Sequence, residues 1–279
     1  MRRLLGIFAL SATVVVGSAA SVFATDVPAP GVSARVDAIK KANVLRVGVL
    51  ANPPWLVENT SGSGDRWAGP VWMLTTEIAK RLGVSVQVVP VSHETKVPVL
   101  AANQVDMSIT PLSQTPERDK VVDFVIYSNT ASCMFGLAKN DKFKAAKTVD
   151  DLNNPNITVA YFIGGSEENW VKQRFPKAKL RGATSSNAPA PVEEVMARRA
   201  DAAPINRIQW ALLKSKVSGL SILPSENDCQ DSQELAAPVG LAIDKNQPAF
   251  LAFLRGVQAE MKPALAAEEK RMVEAMQKK

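Results

Sequence analysis

Apolar strands and amphipathic helices alternate along the first half of this chain. The sequence VLRVGVLA (44–51) predicts a buried strand, residues 72–82 predict a helix, and VSVQVVPV (84–91) predicts the next strand. Residues 97–103 predict another helix. Strands that alternate with helices indicate a parallel sheet covered on both faces, so we expect an α/β fold. Ligands of such folds bind beyond the carboxyl ends of the strands.

The first 24 residues have the layout of a secretory signal peptide. Arg2 and Arg3 precede an apolar run from Leu4 to Val16, and small residues lead up to Ala24. The apolar run is short for a membrane span, and no Cys follows the expected cleavage site to carry a lipid. We therefore expect cleavage after Ala24 and a mature protein in the periplasm.

The charge of the chain is mildly positive. Removal of residues 1–24 takes away two arginines and no acids, which lowers the net charge from +6 to +4. Lys and Arg are scattered without a basic run, so we expect no nucleic-acid partner and only a modest attraction for anions. The single His and the two distant Cys do not form a metal-ligand pattern, and we expect no metal and no cofactor.

The two cysteines, Cys133 and Cys229, allow two interpretations. An oxidising compartment permits a disulfide between them. Alternatively, each is a small buried hydrophobic residue. Their distance in space decides between these, and sequence spacing does not give that distance.

An arginine stands in the first turn of a predicted helix that follows the strand VDMSIT (105–110). Thr115 suits the N-cap and Pro116 the first helical position. A cation there is disfavoured by roughly 0.3–1 kcal/mol, because the helix dipole already makes that end positive. Beside free helix N–H groups and the Ser113 hydroxyl, the Arg118 guanidinium would instead form a clamp for a carboxylate. The alternative is an ordinary ion pair on a solvent-exposed helix face, with Asp119 or Asp123.

The pattern changes after Tyr127. The segment SNTASCMFGLAKND (128–141) predicts a long strand without an immediate helix, which indicates a crossing into a second lobe. That lobe opens with ITVAYFIGGSEENW (157–170), a strand, a double glycine and a helix whose N-cap we expect to be Ser166. Further along, ADAAPIN (200–206) predicts a strand that ends at Asn206.

The last part of the chain is expected to return to the first lobe. The sequence PVGLAIDKNQPAF (238–250) begins with a predicted strand that could cross back. Residues 249–278 then predict a long amphipathic helical region that we expect to be broken at Pro263.

Several short motifs occur together in one order: LRVGV, PPW, EIAKRLGV, VPVL, VDMSIT, TPER, VVDF, GGSEE, RADAA and PVGLAIDKNQP. With these motifs, residues 44–261 resemble the extracellular solute-binding proteins of family 3, the periplasmic amino-acid-binding components of ABC importers. The resemblance implies a type II periplasmic-binding-protein fold, in which two α/β lobes joined by two crossing strands close on a ligand in the cleft. Lobe 1 would comprise residues 35–131 and 236–279, and lobe 2 residues 132–235.

The resemblance also implies the carboxylate-binding residues. Arg118 matches the arginine that binds the ligand carboxylate, and Ser113 matches a hydroxyl that assists it, with Thr110 at the end of the preceding strand. The carbonyl of Pro111 would face the ligand ammonium and accept a hydrogen bond from it. Proline has no backbone N–H, so it cannot donate one. In lobe 2, the Gly165-Ser166 turn matches the glycine-threonine turn that completes the carboxylate site.

Departures from the family pattern concern the rest of the ligand. Asn206 replaces the aspartate that pairs with the ammonium, so a charge-assisted bond becomes weaker there. Asn52 replaces an aromatic that covers the ligand, which leaves Trp55 as the nearest stacking candidate. His93 replaces a cleft-facing tryptophan, and its protonation could vary with periplasmic pH; the alternative is a lone surface histidine.

The segment at 69–74, GPVWML, lacks the acids that family members use around cationic side chains. We therefore expect a neutral or acidic amino acid, or a carboxylate without an ammonium, rather than Lys, Arg or His. The expected protein is monomeric and delivers this ligand to an inner-membrane ABC permease.

Two other functions use the same fold. One is a periplasmic cyclohexadienyl dehydratase, whose motif resembles Gly164–Glu168; Glu168 would then be the general acid with His93 opposite. The alternative for Glu168 is an acid favoured by a helix start. The other function is a ligand-sensing partner of a membrane receptor, which sequence does not separate from an importer component.

Overall fold

The computed structural model describes residues 25–62, 64–184 and 190–277. The predicted signal peptide at 1–24 lies outside these residues. The strands are β1 (Val44–Val49), β2 (Val57–Glu58), β3 (Trp67–Ala68), β4 (Ser85–Pro90), β5 (Met107–Ser113), β6 (Val122–Thr130), β7 (Ser132–Leu137), β8 (Thr158–Phe162), β9 (Lys179–Ala183), β10 (Ala203–Asn206), β11 (Leu220–Leu223) and β12 (Ala237–Asp244). The helices are α1 (Ala34–Ala42), α2 (Pro70–Leu82), α3 (Pro98–Ala101), α4 (Pro116–Asp119), α5 (Asp141–Ala145), α6 (Ser166–Arg174), α7 (Ala190–Met196), α8 (Arg207–Lys216) and α9 (Pro248–Gln277), with short 3₁₀ turns at Val149–Leu152 and Glu226–Cys229.

The first lobe is built on a five-stranded sheet with the order β4-β1-β5-β12-β6. Strand β1 is parallel to β4 and to β5, as the alternation of strands and helices predicted. Strand β12 is antiparallel to both β5 and β6, so the expectation of a wholly parallel sheet was wrong. Parallel neighbouring strands need a crossover connection, usually a helix, within the same sheet. Strand β12 enters the sheet from the second lobe instead, so it is free to run antiparallel.

The second lobe has a three-stranded antiparallel sheet, β10-β7-β11, and a parallel pair, β8-β9. A bridge between Val159 and Ala202 brings β8 beside the segment that leads into β10. The buried apolar residues form four clusters among the described residues, two in each lobe, and none of the four spans both. Each lobe therefore has its own hydrophobic core.

The lobes are joined where the chain passes from β6 to β7. Only Ala131 separates these two strands, which belong to different sheets. The segment that returns from the second lobe to β12 lies beside this connection. The Ser132 amide donates to the Glu234 carbonyl of that segment over 2.7 Å. Two adjacent segments thus form the connection. The residue limits given above for the lobes remain our proposal.

Two helices differ from their sequence prediction. Helix α6 has Gly165 as its N-cap, so Ser166 is the first helical residue and not the cap. The Glu168 carboxylate accepts from the Gly164 N–H over 2.7 Å and so bonds the turn without a serine cap. Helix α9 continues through Pro263 and is not broken there. Buried residues before and after the proline, such as Leu254 and Leu265, pack in the same core and hold both parts of the helix.

Cys133 and Cys229 are joined by a disulfide, with their Cα atoms 6.2 Å apart. Both residues are buried in a core cluster of the second lobe. Within the described residues, no group of three or more His, Cys, Asp or Glu side chains could hold a metal ion. No helix in that same part of the chain is long and apolar enough to cross a bilayer.

Candidate functional site

A cavity of about 70 Å³ lies between the lobes. Most of the predicted ligand-binding residues line it: Asn52, Trp55, His93, Pro111, Ser113, Arg118, Ser166 and Asn206. The connecting segments contribute further lining from Thr130, Ser132 and Leu235. The structure therefore gathers side chains from strand ends and helix starts of both lobes at one place.

Arg118 is positioned by the helix start that the sequence predicted. The Thr115 hydroxyl accepts from the Arg118 backbone N–H over 3.3 Å, and Pro116 opens α4. The guanidinium then reaches the cavity, where Nη1 donates to the Ser113 carbonyl over 2.8 Å. Nη2 donates to the Gly164 carbonyl of the other lobe over 3.4 Å. Burial lowers the pKa of the Arg118 guanidinium.

The alternative of a surface ion pair for Arg118 is wrong. Asp119 accepts from the Gln114 amide over 2.9 Å, and Asp123 pairs with Lys245 over 2.7 Å. In the described part of the chain, no carboxylate lies within ion-pair distance of Arg118. The guanidinium is thus a partly buried cation held only by neutral carbonyls, which leaves its charge available to an anion.

A second buried cation, Lys96, lies in the same cavity. Its side chain is among the buried charged groups, with the residue 5% exposed. Nζ lies 3.2 Å from His93 Nδ1. Burial, reinforced by the charge of Arg118, lowers the pKa of Lys96 to about 7. The cavity therefore combines two basic groups, of which the sequence analysis had identified one.

His93 is a neutral member of the cavity. Burial, and next the charges of Lys96 and Arg118, lower the pKa of its imidazole to about 3. The expectation that its protonation varies with periplasmic pH was therefore wrong, and so was the alternative of a surface histidine. We assign Nδ1 as the acceptor from Lys96, which puts the ring proton on Nε2. Nε2 is buried without a hydrogen-bond partner among the described residues.

The two lobes touch directly around this histidine. The His93 ring stacks on Phe162 with ring centroids 4.2 Å apart. Gly164 approaches the His93 backbone so closely that a Cβ at residue 164 would lie 2.9 Å from the His93 carbonyl oxygen. The Ser166 hydroxyl donates to the Ser113 hydroxyl over 3.5 Å. The structure is thus a closed form of the cleft.

Gln209 makes a further contact across the cleft. Its side-chain amide donates to the Asn52 side-chain oxygen and, over 3.1 Å, to the Pro53 carbonyl. Asn52 therefore joins the lobes as well as lining the cavity. Asn206 is the N-cap of α8, and its side-chain oxygen accepts from the Gln209 backbone N–H over 2.8 Å. Trp55 is only 2% exposed, and its indole N–H donates to Ser128 over 3.1 Å.

Two predicted ligand contacts are placed elsewhere. Thr110 is 1% exposed, does not line the cavity, and its hydroxyl lies 3.2 Å from that of Ser108, because the residue is buried within β5. Gly165 also lies outside the lining, and its N–H already donates to the Phe162 carbonyl over 3.2 Å. The first-turn side chains of α6 reach the cavity instead.

The proposed general acid, Glu168, does not line the cavity. Its carboxylate accepts from the Lys172 ammonium over 2.6 Å and from the Gly164 N–H over 2.7 Å. The hydrogen bond from Lys172 lowers the pKa of Glu168. A general acid needs a raised pKa, so these contacts contradict the catalytic role suggested for Glu168, and a neutral His93 offers no replacement proton.

Among the lining residues that sequence reasoning missed, four have charged, aromatic or amide side chains. They are Lys96, Phe162, Glu167 and Gln209. Lys96 follows the carboxyl end of β4, and Glu167 stands in the first turn of α6, so strand-end and helix-start rules indicate both regions. Nothing local distinguishes these charged residues from solvated ones. Phe162 and Gln209 become recognisable only when the lobes are closed.

Comparisons with known proteins identify one family and its fold. The family model of the bacterial extracellular solute-binding proteins, family 3, matches residues 45–271. The arginine-binding extracellular protein ArtP of Bacillus subtilis (strain 168) is 28% identical over 145 residues, which are 52% of this chain and 55% of ArtP. The chain thus spans about half the length of this curated relative.

Solved structures with the same architecture cover nearly the whole chain. The ancestral amino acid-binding protein AncCDT-1, a precursor of cyclohexadienyl dehydratase, is 27% identical with a TM-score of 0.70, covering 86% of this chain and 98% of its own. A mutant of ArgBP from T. maritima is 26% identical with a TM-score of 0.72, covering 88% and 100%. The fold predicted from sequence, two α/β lobes of the type II periplasmic-binding-protein class, is confirmed.

Proposed function

Because the chain belongs to the bacterial extracellular solute-binding proteins, family 3, we propose that it binds a neutral or acidic amino acid, or a related small carboxylate, for an ABC importer. Members of this family bind amino acids outside the cytoplasm and work with ABC transporter permeases. We further propose that the protein is a periplasmic monomer exported through residues 1–24. Hinge closure of the two lobes would trap the ligand.

The observation that carries the proposal is Arg118. Its guanidinium is buried in the cleft, donates only to the carbonyls of Ser113 and Gly164, and has no carboxylate partner in the described part of the chain. A planar guanidinium binds a carboxylate through two parallel hydrogen bonds, which a lysine cannot reproduce. The hydroxyls of Ser113 and Ser166 lie beside it and supply further donors.

The relatives and the cavity lining disagree on the charge of the ligand side chain. ArtP is an arginine-binding protein, and structures of T. maritima ArgBP contain arginine, which favours a basic amino acid. The cavity of this chain argues against a cationic side chain, because Lys96 and Arg118 are both basic and Glu167 is the one acid in its described lining. We give the charge of the cavity more weight, since the sequence identity to these relatives is below 30%.

A thermal-shift screen tests the proposed function. Protein that has been unfolded and refolded to remove any bound ligand is heated with each amino acid and with small keto acids and dicarboxylates. A true ligand raises the unfolding temperature, because binding to the folded state adds RT ln(1 + [L]/Kd) to stability. Arg118→Ala is expected to keep the fold and lose this ligand-induced rise. A full rise in the variant would refute the carboxylate clamp, and the absence of any rise with wild type would refute the ligand class.

A further inference from the structure

The charges that line the cavity do not balance. Among the described lining residues, Lys96 and Arg118 are basic and Glu167 is acidic. His93 lines the same cavity but is neutral above a pH of about 3. With both basic groups protonated, the lining carries a net charge of +1. A ligand with a net charge of −1 neutralises it.

Lys96 forms no ion pair within the described part of the chain, although the charges of Glu167 and Glu94 act to raise its pKa. Its ammonium is within hydrogen-bond distance of His93 Nδ1, at 3.2 Å, and of no carboxylate in the described part of the chain. A buried ammonium without an anionic partner is unfavourable, and its low pKa of about 7 expresses that cost. The neighbouring His93 Nε2 is also buried without a partner among the described residues. Lys96 and His93 thus both line the cavity with N–H donors that no described residue accepts from.

Glu167 is the acidic residue in the described lining of the cavity. Its charge raises the pKa of both Lys96 and Arg118, which puts its carboxylate within electrostatic range of each. It belongs to the second lobe, at the start of α6, and so reaches the ligand only from the opposite side of the cleft. Asn206, in contrast, carries no charge and already accepts a hydrogen bond from Gln209.

We propose, as an extension of the proposed function, that Lys96 and Glu167 form a second subsite that selects an acidic α-amino acid. Arg118 binds the α-carboxylate, Lys96 binds the side-chain carboxylate, and Glu167 binds the ammonium. Such a ligand has the net charge of −1 that neutralises the lining when Lys96 is protonated. A cationic ligand side chain beside Lys96 would meet an uncompensated like charge.

Calorimetric titration of refolded protein tests this subsite with ligands matched in size. L-aspartate and L-glutamate are compared with L-asparagine and L-glutamine, with succinate and glutarate, and with L-arginine. We expect one acidic amino acid to bind at least about tenfold more tightly than its amide, because a hydrogen bond between two charged groups is stronger than one to a neutral amide. The same amino acid should also bind more tightly than the dicarboxylate that lacks its ammonium. The pKa of Lys96 is about 7 without ligand, so binding of an anion at pH 8 should be accompanied by proton uptake at Lys96. Titration in buffers of different ionisation enthalpy detects this uptake.

Variants separate the two new roles. Lys96→Met should weaken the acidic ligand by about tenfold or more and abolish the preference over the amide, whereas Lys96→Arg should retain that preference. Glu167→Gln should abolish the advantage of the amino acid over the dicarboxylate. Lys41→Met, at an exposed lysine of the same lobe, is the matched control and should change neither. Circular dichroism checks that each variant is folded.

The failures of the two proposals are distinguishable. If wild type prefers the amide, or if Lys96→Met keeps the preference for the acid, the second subsite is wrong and the proposed function stands. If wild type prefers L-arginine, both are wrong. If wild type binds none of these ligands, the second subsite is wrong, and the thermal-shift screen over all amino acids, keto acids and dicarboxylates decides the proposed function.

Discussion

The imidazole of His93 in the first lobe and the ring of Phe162 in the second lobe stack face to face across the cleft, with their planes 18° apart. This pair forms only when the lobes are closed, because its two rings belong to different lobes. The histidine is also the hydrogen-bond partner of Lys96. Closure therefore fixes the position of a ring that in turn positions a buried cation of the cavity.

Replacement of Phe162 by leucine should weaken the ligand complex without unfolding the protein. Leucine keeps most of the apolar volume but loses the ring stack, and aromatic pairs contribute about 0.5–1.5 kcal/mol beyond their buried area. We expect a roughly two- to tenfold increase in Kd, mainly through faster dissociation. Stopped-flow fluorescence of ligand release measures it. An unchanged dissociation rate would show that the stack does not stabilise the closed form.

Gly164→Ala should obstruct closure. Its Cβ would lie 2.9 Å from the His93 carbonyl oxygen, and the backbone at residue 164 has a φ of +73°. Gly219 is a matched control, because its φ is +79° and an added Cβ there would meet nothing within 4 Å. Both alanine variants should lose about 1–2 kcal/mol of unfolding free energy from the left-handed backbone. Only Gly164→Ala should also weaken ligand binding, by tenfold or more in calorimetry; equal binding in the two variants would contradict close approach of the lobes.

Stability of the ligand-free protein should depend on pH through Lys96. Its pKa is lowered from 10.5 to about 7 in the folded state, mainly by burial and next by the charge of Arg118. Between these two pH values the unfolded chain holds the proton and the folded protein releases it, so the unfolding free energy contributed by this group rises with pH. Urea unfolding of wild type and Lys96→Met from pH 6 to 10 measures the difference.

The wild type should gain stability relative to Lys96→Met as the pH rises above about 7. The groups that surround Lys96, namely His93, Arg118, Glu94 and Glu167, remain in both proteins and largely cancel in the comparison. Parallel pH curves for the two proteins would mean that Lys96 titrates as an ordinary exposed lysine.

Loss of the disulfide should destabilise the second lobe. Cys133 and Cys229 are 96 residues apart in sequence, and the chain-entropy model assigns roughly 4–5 kcal/mol to a cross-link that closes a loop of that length. We expect the double variant Cys133→Ala/Cys229→Ala to lose about 2–5 kcal/mol of unfolding free energy in denaturant titrations. Reducing agent should lower the stability of wild type to the same level and leave the double variant unchanged. An effect of reductant on the variant would point to another cause.

The sequence was informative wherever the determinants are local. Thr115 and Pro116 predict the helix start that presents Arg118, and cap, proline and arginine lie within four consecutive residues. The same local reasoning placed the cap of α6 one residue too late, at Ser166. In the sequence Glu168 looks like an ordinary acid of a first helical turn, and nothing indicates that its carboxylate accepts from the Gly164 N–H.

Residues that act across the cleft could not be predicted in this way. The Asn52 and Gln209 side chains meet although 157 positions separate them in sequence. In the sequence Lys96 looks like an ordinary solvent-exposed lysine beside a short helix, and only the folded structure shows that it is buried near Arg118. Thr110 was misplaced for a related reason, since alternation along β5 does not tell which residues of a fully buried strand face the ligand.

The separate apolar cores of the two lobes determine which residues the proposed opening of the cleft would expose. None of the four clusters of the described chain is shared between lobes, so parting the lobes leaves each of these clusters intact. Opening of the proposed hinge should therefore not expose the residues of these clusters to other proteins or to lipid. We expect the protein to open and close repeatedly with little aggregation.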